Sequence, residues 1–401
     1  MNLYIFLFMI AGFVVIGIPM IFLIPINGLV IFGYFLNKIG FSGSALLMWF
    51  SISILIILIS ILKGIITRRR INIFNIKFLF RIFLPWFIFV IYLYLSYFLL
   101  SASGSNYDYA INKIILVTLK GIFPALFISI WILYCKNNRL IEKINMAFIW
   151  FGLSQSFFIV QSLLDGPINY RMTVLGLNPI WVARELGVGI VAALLFFEKR
   201  WFKYPIIITL GWGIYLTRSR GPFLSLLIVA ILIYSFNLIK SRKYRQLAPI
   251  IIILMIFSVF VLFGFNMDDY FLRGESSFLE SNNIRARLQL YFAAWDDFTS
   301  SPVLGKGVGS FYYNGHTYPH NIIIELLAET GIVGLVIFIF ALKPKNLIRF
   351  NNAFTFFFIF SLITTMFSGD LEKNAYLIMF SILANLDYNI SKNKMKLESY
   401  K

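Results

Sequence analysis

Residues 82–100 read IFLPWFIFVIYLYLSYFLL, an apolar run that contains no charged side chain. An α-helix rises about 1.5 Å per residue, so roughly 20 residues cross the ~30 Å hydrocarbon core of a bilayer. Runs of this kind recur along almost the whole chain, which is 60% hydrophobic and only 13% charged, with a mean hydropathy of +0.85. The sequence therefore predicts an all-α fold, a polytopic bundle of transmembrane helices.

The predicted bundle has about 12 to 13 helices, and the whole chain, residues 1–401, forms one membrane domain. Residues 3–36 are too long for one span and short for two, so the helix count there stays open. The N-terminus lacks the basic segment of a cleavable signal peptide, and we expect the first helix to remain as an anchor. The other spans are expected near residues 45–66, 82–100, 114–135, 144–164, 180–197, 204–216, 223–238, 250–265, 322–342, 354–367 and 375–386.

The net charge of +18 is concentrated in alternate loops. Because cytoplasmic loops of membrane proteins are rich in Lys and Arg, this alternation indicates a membrane topology rather than a nucleic-acid partner. It places the Lys-rich tail, residues 391–401, in the cytoplasm. The longest segment between spans, residues 267–319, then forms a large periplasmic loop, and long ordered loops are often functional.

Side chains that bind metals are scarce in this sequence. Cys135 is the only cysteine, and His316 and His320 are the only histidines. No cluster has the ligand spacing of a metal site, and no glycine-rich phosphate loop is present. We therefore expect neither a structural metal nor a cofactor.

An amphipathic helix is predicted within the periplasmic loop, from about Asn283 to the Ser-Ser-Pro sequence at 300–302. Its apolar residues recur at spacings of three and four, with Arg285 and Arg287 held off the apolar seam. Such a helix lies on the membrane surface or over the mouth of a cavity, although its arginines could simply bind lipid phosphates. The seam consists of Ile284, Leu288, Tyr291, Trp295 and Phe298.

After this helix, residues 302–309 read PVLGKGVG, which predicts a tight loop that permits close backbone approach. The sequence Tyr318-Pro319-His320-Asn321 then enters the next span, and this places His320 at the outer mouth of the bundle. Histidine is suited to proton transfer near neutral pH. An interfacial histidine with a purely structural role is the alternative.

Two further arginines, Arg218 and Arg220, lie in a turn between two predicted spans. The apolar run before them, from Tyr204, is only about 13 residues, or roughly 20 Å of helix. The arginines are therefore expected below the outer surface, where a bound anion would offset their cost. A diphosphate matches the guanidinium fork, whereas snorkelling to lipid headgroups is the alternative.

Three ordered segments resemble the bacterial O-antigen ligase and O-antigen polymerase superfamily. The first is Ser219-Arg220-Gly221, and the second runs from Ala286-Arg287-Leu288 to the turn at 301–307. The third runs from Pro319-His320-Asn321 to Gly331. A segment from Arg171 to Gly187, which contains Arg184, also resembles the family, so the likeness covers roughly the second half of the chain.

This resemblance implies a metal-independent hexosyltransferase of the membrane glycosyltransferase C class in the bacterial inner membrane. Its donor would be a glycan linked to undecaprenyl diphosphate, and its active site would face the periplasm. Arg220 and Arg287 would neutralise the departing diphosphate, and His320 would accept the proton of the acceptor hydroxyl. The candidates for substrate binding are Arg218, Arg285, Arg171, Arg184, Glu325 and Tyr318, with a helix-capping or packing role as the alternative for Glu325.

Three functions remain compatible with these features. A polymerase joins the growing chain to another lipid-linked repeat unit, with a chain-length regulator as a candidate partner. It is favoured because polymerases are the more numerous and varied branch. A ligase would transfer the finished chain to lipid A core. A flippase would be expected to show paired half-repeats or broken helices; we identify neither in the sequence, and Lys120 is the one residue that suggests a transport role.

Overall fold

The computed structural model describes residues 2–25, 29–38, 44–66, 73–100, 107–135, 140–165, 172, 174–175, 177–196, 201, 203–242, 282–344, 353–367 and 369–398. The described part of the chain is helical, with loops and a single isolated bridge between Tyr313 and His316. The all-α prediction is confirmed. The predicted span near 250–265 lies outside the described residues, as does Arg171.

The described part of the chain contains the following helices, in chain order. They are α1 (Asn2–Ile16), α2 (Ile18–Leu23), α3 (Leu29–Lys38), α4 (Ala45–Ile66), α5 (Ile73–Leu100), α6 (Tyr107–Leu116), a π-helical segment (Val117–Ile122), α7 (Phe123–Cys135), α8 (Leu140–Asp165), α9 (Pro179–Phe196), α10 (Lys203–Leu216), α11 (Arg220–Lys240), α12 (Asn282–Ser300), α13 (Ile322–Leu342), α14 (Ala353–Thr365) and α15 (Ala375–Glu398).

Within the described residues, six helices are long and apolar enough to cross a membrane. They are Lys77–Phe98, Asp108–Leu133, Ile141–Leu163, Pro179–Phe196, Arg220–Lys240 and Ile322–Leu342. Three shorter apolar helices, Ala45–Ile59, Phe354–Thr365 and Ala375–Tyr388, coincide with other predicted spans. The chain is therefore a membrane protein, while the total of 12 to 13 helices stays a prediction.

The chain divides into two compact units, and their boundaries fall near residues 70, 130 and 265. In the first unit, helix α9 is buried along one continuous stretch from Val182 to Ala193, which includes the charged residues Arg184 and Glu185. Glycines allow its neighbours to approach closely. A Cβ atom at Gly189 would lie 3.0 Å from Leu210 and 3.3 Å from the carbonyl oxygen of Phe148.

Aromatic side chains join the helices of the second unit. The ring of Phe338 on α13 lies 5.8 Å from that of Trp86 and 5.3 Å from that of Phe89, both on α5. Phe357 of α14 stacks on Phe380 of α15 at 4.9 Å. The two contacts of Phe338 hold α13 against α5, which is distant in sequence, and α13 is the helix that follows His320.

Helix α13 is broken at Gly331, whose φ is 63° and ψ is −169°. An L-residue rarely adopts this conformation, and a Cβ atom here would lie 2.3 Å from the carbonyl oxygen of Val303. The sequence-based expectation that the chain lacks a broken helix is therefore wrong at this position. It failed because a single glycine in an apolar run is compatible with a continuous helix.

The glycine-rich turn supplies the hydrogen bonds that the break removes from the helix. A break inside a membrane span needs such partners because lipid offers none. The turn and α13 bond in both directions: Lys306 N to Ala328 O (3.0 Å), Gly307 N to Glu329 O (2.9 Å), Ile332 N to Pro302 O (2.9 Å) and Val333 N to Val303 O (3.2 Å). The hydroxyl of Tyr92 also donates to Thr330 O at 2.7 Å.

The predicted close backbone approach of this turn is confirmed at Gly305. Its φ is 71°, and a Cβ atom there would lie 2.4 Å from the backbone nitrogen of Thr330. The turn and the break thus require each other, because each presents its backbone to the other without intervening side chains.

Gly331→Ala tests this interdependence. We expect the substitution to destabilise the protein by at least about 2 kcal/mol, because it combines an unfavourable φ with a clash against Val303 O. The measurement is thermal unfolding of the full chain in nanodiscs.

Gly211→Ala is the matched control, since a Cβ atom at Gly211, inside α10, would meet nothing within 4 Å. It should leave the melting temperature unchanged or raise it, as alanine favours helix over glycine by about 1 kcal/mol. Equal melting temperatures for Gly331→Ala and the wild type would contradict the structural account of the break.

Candidate functional site

His320 occupies a strained position immediately before α13. Its φ is 61°, in the left-handed region that a histidine rarely adopts. The next residue, Asn321, is the N-cap of α13, and its side-chain oxygen accepts from Ile323 N at 3.0 Å and from Ile324 N at 3.3 Å. The cap fixes where the helix begins, so the chain must turn at His320, and this turn orients the imidazole.

Two aromatic rings contact the half-buried imidazole of His320. The ring of Tyr318 meets it edge-on at 4.6 Å, and that of His316 lies 5.9 Å away. A small hairpin holds His316, because Tyr313 and His316 exchange backbone hydrogen bonds of 3.0 and 2.9 Å. Tyr318, predicted as a substrate-binding residue, is therefore a direct neighbour of the predicted base.

Arg287 lies on the face of α12 that packs against the protein. Leu290 and Ala294, on the same face, are buried against Phe311 and against Ala328 of α13. The guanidinium of Arg287 is half-buried, and its Nη1 donates to Phe367 O at 2.9 Å. This bond uses one of five N–H donors, and the others suit a bidentate anion.

The aromatic seam predicted for α12 is not the face that packs. Leu288, Phe292 and Trp295 are 46%, 67% and 51% exposed, and Arg285 is exposed near them. The expectation that this helix lies on the membrane surface or over the mouth of a cavity stays a prediction. Small residues such as Ala294 permit closer packing on α13, and in a membrane protein large apolar side chains can face lipid.

Tyr291, one turn after Arg287, is the seam residue nearest to the packed face. Burial raises the pKa of its phenol above 10.0, and the positive charge of Arg287 acts in the opposite direction. The neutral phenol places no negative charge beside the guanidinium.

A short segment after α14 brings Arg287 and the His320 turn together. Arg287 donates to Phe367 O, and the adjacent carbonyl, of Met366, accepts from Asn321 Nδ2 at 3.4 Å. Neighbouring carbonyls therefore hold Arg287 and the residue that follows His320. The two residues that sequence analysis assigned to catalysis within this unit share one support.

Below this support lies a buried cluster of charges that sequence analysis did not anticipate. Lys113 of α6 is fully buried, and its Nζ lies 2.8 and 2.7 Å from the two carboxylate oxygens of Glu329. It also forms an ion pair with Glu325, whose Oε1 accepts from Leu371 N at 3.1 Å. The structure thus places Glu325 in an internal network, as its packing alternative proposed.

Further polar contacts tie the same region to α6 and the π-helical segment. The hydroxyl of Tyr109 donates to Asp370 Oδ2 at 2.7 Å, and Lys120 pairs with Glu372 at 3.2 Å. Charged residues inside membrane proteins usually face the protein interior and pair there. That rule is the signal that could have identified Lys113, which directly precedes the apolar run beginning at Ile114.

The remaining predicted arginines with described positions belong to the first unit. Arg184 is 4% exposed within α9. Arg218 is exposed, with a φ of 51°, and Arg220 is the first residue of α11. The turn that carries Arg218 and Arg220 begins where α10 ends, and the N–H of Arg218 donates to Tyr215 O at 2.9 Å.

A groove of about 470 Å³ lies between α8 and α10, and its lining reaches Tyr215, whose carbonyl oxygen accepts from Arg218 N. Trp212 and Tyr215 stack along it with ring centroids 5.5 Å apart, and both are at least half exposed. No side chain fills the groove at Gly211. The lining residues are Ser156, Ile159, Val160, Ile208, Thr209, Gly211, Trp212, Gly213 and Tyr215.

Part of the chain matches the model of a known protein family. A family model described as O-antigen ligase matches residues 205–339. The match begins in α10 and ends in α13, so it contains Arg220, Arg287 and His320, whereas Arg171 and Arg184 precede it. None of the curated proteins compared with the chain matches it. Residues 205–339 are therefore similar to the O-antigen ligase family.

Proposed function

We propose that this protein is a surface-polysaccharide polymerase of the bacterial inner membrane. It transfers a glycan from undecaprenyl diphosphate to another lipid-linked repeat unit at the periplasmic face. The observation that carries the proposal is the shared support of Arg287 and the His320 turn on the carbonyls of Met366 and Phe367. A cation and a titratable base held in one place suit the transfer of a sugar from a diphosphate.

The reaction begins when the acceptor hydroxyl attacks the anomeric carbon of the donor sugar. A new glycosidic bond forms as the bond between this carbon and the diphosphate oxygen breaks. His320 accepts the hydroxyl proton, and the diphosphate leaves with the bonding electron pair. General-base assistance of this kind typically contributes ~100- to 10,000-fold in rate.

Arg287 stabilises the negative charge that develops on the diphosphate. Its guanidinium is fixed by Phe367 O before substrate binds, so little reorganisation is needed in the transition state. Loss of one such donor commonly costs about 100-fold or more in rate. Arg285, exposed on the same helix, binds the glycan or diphosphate more peripherally.

In the first unit, we assign the groove between α8 and α10 to an isoprenoid chain and the adjoining Arg218 and Arg220 to its diphosphate. The groove has apolar walls, and its aromatic end lies beside the turn that carries both arginines. An amphiphile with an apolar chain and an anionic head complements this arrangement.

O-antigen ligase is the second candidate, because the matching family model carries that description. The two functions differ in the acceptor, which is another lipid-linked unit for a polymerase and lipid A core for a ligase. Transport of lipid-linked glycan is the third, and the break at Gly331 favours it, since transporters often use broken helices. However, the freed backbone groups at this break pair with the glycine-rich turn, so they are not available to bind a substrate.

The first test uses purified protein in nanodiscs with undecaprenyl-diphosphate-linked repeat units, with and without lipid A core. We expect a ladder of longer lipid-linked glycans without core. Arg287→Ala and His320→Ala should each reduce turnover at least about 100-fold, because they remove the leaving-group cation and the base.

Lys306→Met is the matched control, because it removes an exposed ion pair with Asp297 in the same unit and should leave turnover unchanged. Product that requires core would favour the ligase. If neither condition gave product, the enzymatic proposal would fail and transport would become the leading function.

Gly211→Leu tests the isoprenoid groove separately. A Cβ atom here would meet nothing within 4 Å, and leucine favours helix more than glycine does, so we expect the variant to fold at least as well as the wild type. We expect its KM for the lipid-linked donor to rise about tenfold.

The direct measurement is photo-crosslinking of α10 by a diazirine-labelled polyprenyl diphosphate, which Gly211→Leu should abolish. Equal labelling of the variant and wild type would refute the groove assignment. Competition by ordinary phospholipid alone would show that the groove holds bulk lipid.

A further inference from the structure

Lys113, Glu325 and Glu329 form a buried cluster of charges. A contribution to the stability of the protein does not by itself explain why these buried residues are charged. All three side chains are at most 2% exposed, and they lie within candidate membrane spans. Removing such charges from water costs several kcal/mol per ion, and an apolar set of similar volume is often as stable or more so. The cluster therefore suits a task that apolar packing performs less well, namely fixing the position of one segment relative to another.

The cluster connects four separate segments of the second unit. Lys113 lies on α6, and the two glutamates lie on the first half of α13. The backbone of Gly309, in the glycine-rich turn, bonds to Glu329, and Leu371 N bonds to Glu325. α6 and the turn also touch directly, since a Cβ atom at Gly309 would lie 2.9 Å from that of Ala110.

These connected segments are the ones that support the candidate site. His320 lies two residues before α13, so it moves with the half-helix that carries both glutamates. Leu371 lies four residues after Phe367, the acceptor for Arg287. A displacement of α13 relative to the 366–371 segment would therefore change the separation of His320 and Arg287.

We propose that Lys113 is a positioning residue of the His320 and Arg287 site. Its ammonium holds Glu325 and Glu329 at fixed distances, Glu325 holds Leu371, and the half-helix that follows His320 is thereby set against the support of Arg287. The catalytic readout of this inference rests on the proposed transfer reaction. A misplacement of about 1 Å in such a site can cost ~100-fold in rate.

The experiment compares the wild type with an ion-free variant, Lys113→Met/Glu325→Met/Glu329→Met, in full-length protein in nanodiscs. Because apolar residues replace all three ions, none of the three is left unpaired, and Asp370 keeps the hydrogen bonds that it accepts from the Tyr109 hydroxyl and Lys373 N. We therefore expect the melting temperature to stay within a few degrees. We expect kcat to fall at least tenfold while KM for the donor changes less than threefold, since binding groups remain but their alignment is lost. Lys306→Met is the control: it makes the same Lys-to-Met change at an exposed ion pair, and it should keep the wild-type kcat.

A second measurement reports position without requiring turnover. Spin labels at Asn112 on α6 and Ile323 on α13, both exposed, are introduced as cysteines in a Cys135→Ser background. We expect a narrow distance distribution in the wild type and a broadened or shifted one in the ion-free variant. If the wild type catalyses neither transfer reaction, this measurement still decides whether the cluster positions α13.

A kcat within twofold of wild type in the folded ion-free variant would overturn the proposal, as would an unchanged distance distribution. If the ion-free variant does not fold, Lys113→Arg replaces it. The planar guanidinium keeps the charge but cannot hold both carboxylates at the distances set by the ammonium. We expect at least a tenfold lower kcat at an unchanged melting temperature, and a wild-type kcat would refute the role of Lys113.

Discussion

The lack of hydrogen-bonding partners in lipid is the constraint on which the second unit depends. Helix α13 breaks at Gly331 inside an apolar span, and the break exposes carbonyl and N–H groups that a bilayer cannot satisfy. The glycine-rich turn at 302–309 satisfies these groups, and it does so only because glycines permit its backbone to lie against that of α13. The turn, which the sequence places just after the arginine-bearing helix α12, is thereby anchored to the helix that follows His320.

Two further sets of contacts fix the position of α13. The buried charges of Lys113 and the two glutamates join the half-helix to α6 and to the 366–371 segment. The N-cap at Asn321 then fixes where α13 begins, and this forces the strained turn at His320. The rings of Tyr318 and His316 contact His320 at this turn, and such backbone strain is common at functional sites.

The two units supply complementary chemistry. The second carries a fixed cation and a histidine on a rigid support, as transfer chemistry requires. The first carries an open apolar groove that adjoins a basic turn. On α12 the exposed Leu288, Phe292 and Trp295 face away from the packed side, as expected for a helix that also meets a membrane surface.

Sequence alone determined the all-α membrane fold, because hydropathy over about 20 residues reports directly on the cost of exposing apolar side chains. It also identified Arg287, His320 and the glycine-rich turn, whose ordered motifs lie within the matched family region. Tertiary structure decided the partners of Glu325, the packed face of α12 and the break at Gly331. Lys113 and Glu329 are 216 residues apart, and neither neighbouring residues nor helical periodicity reveals which distant group will pair with a buried charge.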